Sequence, residues 1–111
     1  MNKNLIKLLR ILARRRFSFS VDAITAAMYF MDEGHAEWDP VARDYKVESY
    51  RLTNRVRITD GDGRHVTVYT CDGLDALIDL DNTESQVMDA DEVGVWALNY
   101  LRDEQVEYGK A

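Results

Sequence analysis

The sequence contains very few of the residues that cross-link, divide or break a chain. Cysteine and proline each occur once in 111 residues, as Cys71 and Pro40. A single cysteine excludes an intramolecular disulfide, and with it the usual signature of a small secreted protein. Because no stretch is rich in Gly, Ser or Pro, nothing marks a linker. We therefore predict one compact domain over residues 1–111, with residues 105–111 as a frayed tail.

The sequence also lacks a long apolar run. The longest nearly uninterrupted one, residues 23–31, is less than half of the roughly 20 residues that a membrane-spanning helix needs. Lys7 and Arg10 interrupt the first apolar segment, which makes it a poor signal-peptide core. Apolar residues make up 46% of the chain and charged residues 31%, as in ordinary globular domains. These features predict a cytoplasmic protein without membrane contact.

Charge is plentiful but unevenly placed along the chain. Residues 1–16 contain six basic side chains and no acid, whereas residues 71–111 contain eleven acids and two bases. The residues between these segments carry nine acids and six bases, and the net charge of the whole chain is −6. A chain polarised in this way either pairs its own ends or presents one end to a partner.

Two segments near the N-terminus have the pattern of helices. The later of the two predicted helices covers residues 21–33, with Ser20 as its N-cap and Gly34 as its C-terminal stop. For residues 35–45 the sequence leaves two alternatives, a loop or a single helical turn. The first helix is predicted over residues 4–15 from apolar residues at helical spacing, which are Leu5, Leu8, Leu9 and Leu12.

The pattern then changes from helical spacing to alternation. Alternating apolar and polar residues predict a β-hairpin over residues 50–68, with its turn at residues 60–63. A three-residue loop pairs Ile58 with Val66 and keeps one face of the hairpin apolar, so we prefer this register. A third strand over residues 45–49 is an open alternative.

The C-terminal part of the sequence predicts two more helices. Asp72 can cap a short helix that runs through Ile78, and a strand over residues 76–80 is the competing interpretation. Asp89 and Glu92 stand at capping-box spacing and mark the start of a last helix. The predicted fold class is therefore α+β, with two N-terminal helices, an antiparallel hairpin, a short helix and a C-terminal helix packed on one face.

No catalytic or metal-binding motif is visible in the sequence. Cys71, His35 and His65 are the only soft nucleophile and general-base candidates. On an extended strand Cys71 and His65 would stand about 20 Å apart, far beyond hydrogen-bond reach. The turn at residues 60–63 resembles the start of a calcium loop, but Cys71 takes the twelfth position, where such a loop needs glutamate. We predict no enzymatic activity, no metal and no cofactor.

The acidic C-terminal third provides the leading functional hypothesis. A dense acidic surface usually confers solubility, and it can also imitate nucleic-acid phosphate and occupy a basic groove. Small acidic inhibitors and accessory proteins of phages and mobile elements act by this logic, which is an analogy of composition only. We predict a non-enzymatic protein that docks on a basic, nucleic-acid-binding protein through the acidic residues Asp72, Asp75, Asp79, Asp81, Glu84, Asp89 and Asp91.

A second hypothesis rests on basic residues. Two helices followed by a hairpin resemble the general plan of a winged-helix DNA-binding domain, although a net charge of −6 opposes phosphate contact. For the basic N-terminal helix the alternatives are a core-facing role, membrane contact, and contact with a partner or a second copy. The DNA-binding hypothesis uses an outward arginine stripe made of Arg51, Arg55, Arg57 and Arg64.

Overall fold

The computed structural model describes residues 2–81 and 85–102, which form six strands and two helices. In chain order the elements are α1 (Lys3–Arg14), β1 (Ser18–Ala23), β2 (Tyr29–Asp39), β3 (Asp44–Thr59), β4 (His65–Cys71), β5 (Leu74–Asp79), β6 (Gln86–Met88) and α2 (Ala90–Leu101).

All six strands belong to one antiparallel sheet. Its order is β1-β3-β4-β5-β6, and β2 pairs with β3 as well. The C-terminal half of the 16-residue β3 lies between β1 and β4, whereas its N-terminal half pairs with β2 alone. The predicted fold class, with two N-terminal helices and a single hairpin, is therefore wrong. The fold is a long sheet with one helix before it and one after it.

The predicted second helix over residues 21–33 is wrong because residues 21–23 and 29–32 pair with β3, and residues 24–28 connect the two strands. Phe19 lies opposite Ile58 and Val21 opposite Val56, and serine and aspartate alternate with these apolar residues along β1. Apolar side chains at helical spacing also occur in residues 21–33, which is why the sequence predicted a helix there. Pairing with β3 on both sides of this connection satisfies the backbone hydrogen bonds of the two strands and decides the structure of the segment.

Two shorter predictions are also corrected. Residues 35–45 form neither a loop nor a helical turn, but the end of β2, a tight turn and the start of β3. By contrast, the open alternative of a strand over residues 45–49 is confirmed, since these residues form the first part of β3. After Asp72 the chain forms β5 instead of a short helix, and Gly73 makes the preceding turn with a φ of 82°. The competing strand interpretation was the better one.

The two terminal helices are confirmed and cover one face of the sheet. The leucine stripe of α1 is buried against α2 and the sheet. At the start of α2, the Asp89 carboxylate accepts a hydrogen bond from the Glu92 amide at 2.8 Å, as the capping pattern predicted. Gly94 allows close packing, because a Cβ at this position would lie 3.0 Å from Ile11 Cγ2.

The predicted register of the β3–β4 hairpin is confirmed. Ile58 pairs with Val66 and Val56 with Val68, and all four side chains are buried beneath the helices. Gly63 has a φ of 84°, which is the left-handed residue that this loop requires. The alternation of apolar residues therefore fixes both the pairing and the face.

A β-bulge at Thr53 exchanges the two faces of β3. Leu52 pairs with Cys71 and Asn54 with Thr70, so β3 holds one residue more than β4 at this point. Residues of β3 after the bulge point their apolar side chains toward the helices, whereas Leu52 and Tyr50 join a second core on the opposite face. Side chains from the 24–28 segment pack against this second core.

Candidate functional site

The N-terminal half of β3 and its partner β2 extend beyond the rest of the sheet. Residues 31–49, which we call the arm, pair only with each other across the hairpin. The molecule measures 52 × 31 × 23 Å and has a radius of gyration of 15.4 Å. A compact domain of this length would have a radius of about 13 Å. The arm therefore gives the protein an elongated shape and a two-stranded extension.

The two faces of the arm differ in chemistry. Register places Trp38 opposite Tyr45 and Met31 opposite Ser49 on one face, in line with Tyr29 opposite Arg51 at the base. We call Tyr29, Met31, Trp38 and Tyr45 the aromatic strip. The other face carries Asp32 opposite Glu48 and Glu37 opposite Lys46. The register of β2 shifts between Asp32 and Glu37, where β2 holds three residues more than β3. Regular alternation along β3 therefore sets one aromatic face and one acidic face.

The aromatic strip is open to solvent. Trp38 is 55% exposed, Tyr45 62% and Met31 51%. The two rings contact each other edge to face, with centroids 5.3 Å apart, which holds them in a defined arrangement. Val41 in the turn at the tip is almost fully exposed. Large apolar side chains that cluster in the open are typical of an interaction surface.

The arm contains more acidic than basic side chains. Residues 31–49 contain six acids and two bases, a net charge of −4. The carboxylate of Asp39 accepts hydrogen bonds from the amides of Val41 and Ala42, and Glu48 accepts one from the hydroxyl of Tyr50. This hydrogen bond from its hydroxyl raises the pKa of Tyr50. The partners of Asp39 and Glu48 are neutral, so these hydrogen bonds place no positive charge beside the two carboxylates.

The predicted acidic docking residues have several different roles in the fold. Asp75 Oδ1 accepts hydrogen bonds from the amides of Lys3 and Asn4, so its carboxylate lies at the N-terminus of α1. Asp91 forms an ion pair with Lys7 at 2.6 Å, which raises the pKa of Lys7. Asp89 caps α2. Each of these carboxylates is committed to a helix.

The remaining members of the acidic set lie apart from those three. Asp79 is fully buried, and its Oδ1 accepts a hydrogen bond from the amide of Asp81 at 2.9 Å. Asp72 and Asp81 are exposed, and Glu84 lies outside the described residues. The acidic residues predicted to form one docking surface are therefore divided in the fold between the N-terminal ends of the helices, a buried position and two exposed positions.

The predicted arginine stripe is divided by the β-bulge. Arg55 and Arg57 lie on the sheet face of the second core, and Arg55 stacks on Tyr69 at 5.7 Å. Arg51 precedes the bulge and alternates with Tyr50 and Leu52, so it lies on the opposite face.

The fourth residue of the predicted stripe, Arg64, contacts the C-terminal end of α2. It donates a hydrogen bond to the carbonyl of Tyr100 at 2.6 Å. Together with the loss of the second N-terminal helix, this placement removes the architecture that resembled a winged-helix domain.

Two of the candidates for catalysis, Cys71 and His65, lie at opposite ends of β4. Cys71 is buried, and burial raises the pKa of its thiol to about 11, so the reactive thiolate is disfavoured near neutral pH. His65 is exposed at the other end of β4. The side chain of His35 lies outside the described part of the chain. Within residues 2–81 and 85–102, no group of three metal-ligating side chains is close enough to hold an ion.

An open cavity of about 610 Å³ lies where α1 meets the bulge of β3. Its polar wall is a hydrogen-bonded set in which Thr53 and Thr70 hydroxyls are 2.7 Å apart and Asn54 Oδ1 accepts from Thr70. These hydroxyl and amide groups bond to one another, so this part of the wall is already engaged within the protein. The arm is therefore the stronger candidate.

Sequence reasoning missed the aromatic strip because it assigned residues 21–33 to a helix and left the following segment undefined. Trp38 and Tyr45 flank the turn at residues 40–43 symmetrically. Aromatic residues on both sides of a turn favour paired strands. That signal was present in the sequence and would have placed both rings on a hairpin.

No helix among the described residues is long and apolar enough to cross a membrane. No family model, curated protein or solved structure matches the chain.

Proposed function

We propose that the protein is a non-enzymatic binding domain whose arm docks on a basic surface of another protein. The observation that carries this proposal is the aromatic strip, displayed on a ribbon that only two strands support. A two-stranded ribbon is at best marginally stable on its own in water. A partner that covers the strip would bury its exposed apolar surface and order the arm at the same time.

The composition of the strip supports a protein partner. Tryptophan and tyrosine are enriched among the residues that dominate protein–protein affinity, and such residues cluster at the centre of an interface. The strip lies along one face of an extended ribbon, whereas small-molecule sites are concave. Val41 at the tip extends the apolar surface beyond the two rings.

The charge of the arm supports a basic partner. The arm carries a net charge of −4 within a chain of −6, and opposite charge on a partner would accelerate and orient association. The proposal keeps the predicted mode of action, contact between an acidic surface and a basic, nucleic-acid-binding protein. It moves the contact from the acidic C-terminal residues to the arm. An inhibitory or accessory role in the cytoplasm is part of the same proposal.

Replacing both rings, Trp38→Ala with Tyr45→Ala, is expected to weaken partner binding at least about 100-fold. Both side chains are half-exposed or more, so their removal should change stability little. A tagged chain captures its partner from nuclease-treated lysate. Titration calorimetry with the purified partner then gives the affinities of the wild type and the variant.

Two control variants separate the arm from other surfaces. Phe19→Ala with Val21→Ala removes two exposed apolar side chains from the body and should leave the affinity unchanged. Asp72→Asn with Asp81→Asn tests the acidic surface predicted from sequence. The proposal is wrong if the arm variant binds as tightly as the wild type, or if only the Asp72 and Asp81 variant loses binding. It is also wrong if sedimentation shows a second copy of the chain on the strip.

A further inference from the structure

The end of the molecule opposite the arm carries a cluster of arginines. Arg14 ends α1 and is followed at once by Arg15 and Arg16, while Arg102 follows α2 and Arg64 follows the β3–β4 turn. All five side chains belong to exposed residues. We call these five residues the arginine end. They come from three separate parts of the sequence, and the fold brings them together.

Two contacts tie the arginine end into one surface. Arg102 donates a hydrogen bond to the carbonyl of Arg15 at 2.5 Å, and its guanidinium lies 4.0 Å from the centre of the Phe17 ring. Arg64 donates to the carbonyl of Tyr100, and its guanidinium stacks on the same tyrosine at 5.4 Å. Ring stacking fixes the planes of these two guanidinium groups while leaving other N–H donors free.

The local structure needs fewer positive charges than this end contains. The helices are parallel, since α1 and α2 meet at their N-termini through Lys7 and Asp91 and at their C-termini through Arg15 and Arg102. Each helix C-terminus carries roughly half a negative charge, which one arginine is enough to offset, so the two helices together need two of the five arginines. Three further arginines remain, and none forms an ion pair within the described residues.

Neighbouring acids reduce the charge of this end without cancelling it. Asp60 and Asp62 in the adjoining β3–β4 turn lower the formal charge from +5 to +3, and Asp103 and Glu104, which directly follow Arg102 in the sequence, lower it to +1. The Oδ1 atom of Asp60 is used within the turn, where it accepts hydrogen bonds from the amides of Asp62 and Arg64. An acidic protein thus carries five arginines and a small net positive charge at one end.

We propose that the arginine end binds the phosphate backbone of nucleic acid without reading its sequence. Guanidinium groups match phosphate oxygens with paired N–H donors, and several of them within one surface can contact successive phosphates. A lipid surface fits less well, because Phe17 is buried beneath Arg102 and α1 turns its leucines into the core. The acidic arm is repelled by the same backbone, so it points away from the bound nucleic acid and leaves the aromatic strip free.

The test is fluorescence anisotropy of a labelled duplex of roughly 24 base pairs, titrated with the full chain between about 20 and 150 mM salt. Binding is expected at low salt, with an affinity that falls steeply as salt rises. The Arg14→Ala, Arg15→Ala, Arg16→Ala variant should reduce the slope of log affinity against log salt by about 2 to 3, because each arginine removed leaves one phosphate unneutralised. Alanine at position 16 keeps the same left-handed backbone, where Arg16 has a φ of 61°.

A matched control removes the same charge elsewhere. Lys3→Ala, Arg43→Ala, Lys46→Ala also removes three positive charges, two of them from the arm, and should change the salt slope by less than about 1. If the first variant melts early, Arg14→Ala with Arg15→Ala replaces it, against Arg43→Ala with Lys46→Ala.

Three results overturn the proposal: no duplex binding at low salt, equal losses in both charge variants, or binding to anionic vesicles in preference to duplex. The Trp38→Ala, Tyr45→Ala variant should bind the duplex normally, so this test and the arm test fail independently.

Discussion

A chain in which residues 32–48 are replaced by an Asn-Gly turn is expected to keep its body folded and to lose partner binding completely. Met31 and Ser49 lie directly opposite each other, and a two-residue Asn-Gly turn closes such a pair. The deletion removes Trp38 and Tyr45 and a net charge of −4. It leaves Phe30 and Tyr50, whose rings stack at 6.3 Å in the second core.

Binding and folding are measured separately for this shortened chain. Thermal melting followed by circular dichroism should give a midpoint close to that of the wild type, because the deleted residues lie outside both cores. Calorimetry with the captured partner should give no detectable heat of binding. A shortened chain that melts as one unit and still binds would show that the arm is dispensable. A shortened chain that does not fold would show that the arm belongs to the core.

The second large effect is expected in the core between the helices and the sheet. Leu12→Ala should lower the free energy of unfolding by about 3 to 5 kcal/mol, because the site combines lost burial with a cavity that packed neighbours cannot fill. Leu12 is fully buried within the cluster that joins α1, α2 and the sheet. A change of this size is a large fraction of the stability of a small domain.

Urea denaturation of Leu12→Ala measures this prediction, with Ile6→Ala as the control on the same helix. Ile6 is 37% exposed, so its truncation should cost less than about 1.5 kcal/mol. Similar losses for the two variants would mean that α1 does not bury its leucine face as the structure has it.

The parts of the fold that sequence predicted are those with strong local signals. The leucine stripe of α1 repeats at helical spacing, and Asp89 begins α2 with a capping side chain. Alternation and a glycine-rich turn specified the pairing of Ile58 with Val66. In each case neighbouring residues contain the information, because caps, helix faces and hairpin registers are set over a few positions.

The parts that sequence missed depend on pairing between distant segments. Residues 21–33 fit a helix locally, yet residues 21–23 and 29–32 pair with a strand that lies 16 to 35 residues later in the chain. The alternation in β1 was present, but it was short and competed with an apparent N-cap at Ser20. The bulge at Thr53 left no recognisable mark in the sequence. Without it, Arg51, Arg55 and Arg57 would share one face of the sheet.

The candidate site was missed for a related reason. Charge density along the sequence pointed to the C-terminal third, where carboxylates such as Asp75 and Asp91 are held by α1. A charge count does not tell which side chains cap helices and which remain free for a partner. The exposure of Trp38 and Tyr45 follows from the length of β3 relative to its neighbours, which is a property of the whole sheet.

Hydrogen–deuterium exchange of the protein, alone and saturated with its captured partner, tests the central claim most directly. Amides of a two-stranded ribbon open locally at low cost, so the arm should exchange quickly in the free protein. With partner bound, we expect slower exchange in peptides from residues 29–51 and unchanged exchange in peptides from residues 71–91. If only residues 71–91 became protected and the arm still exchanged quickly, the central claim would be contradicted. The binding site would then lie in the acidic C-terminal region.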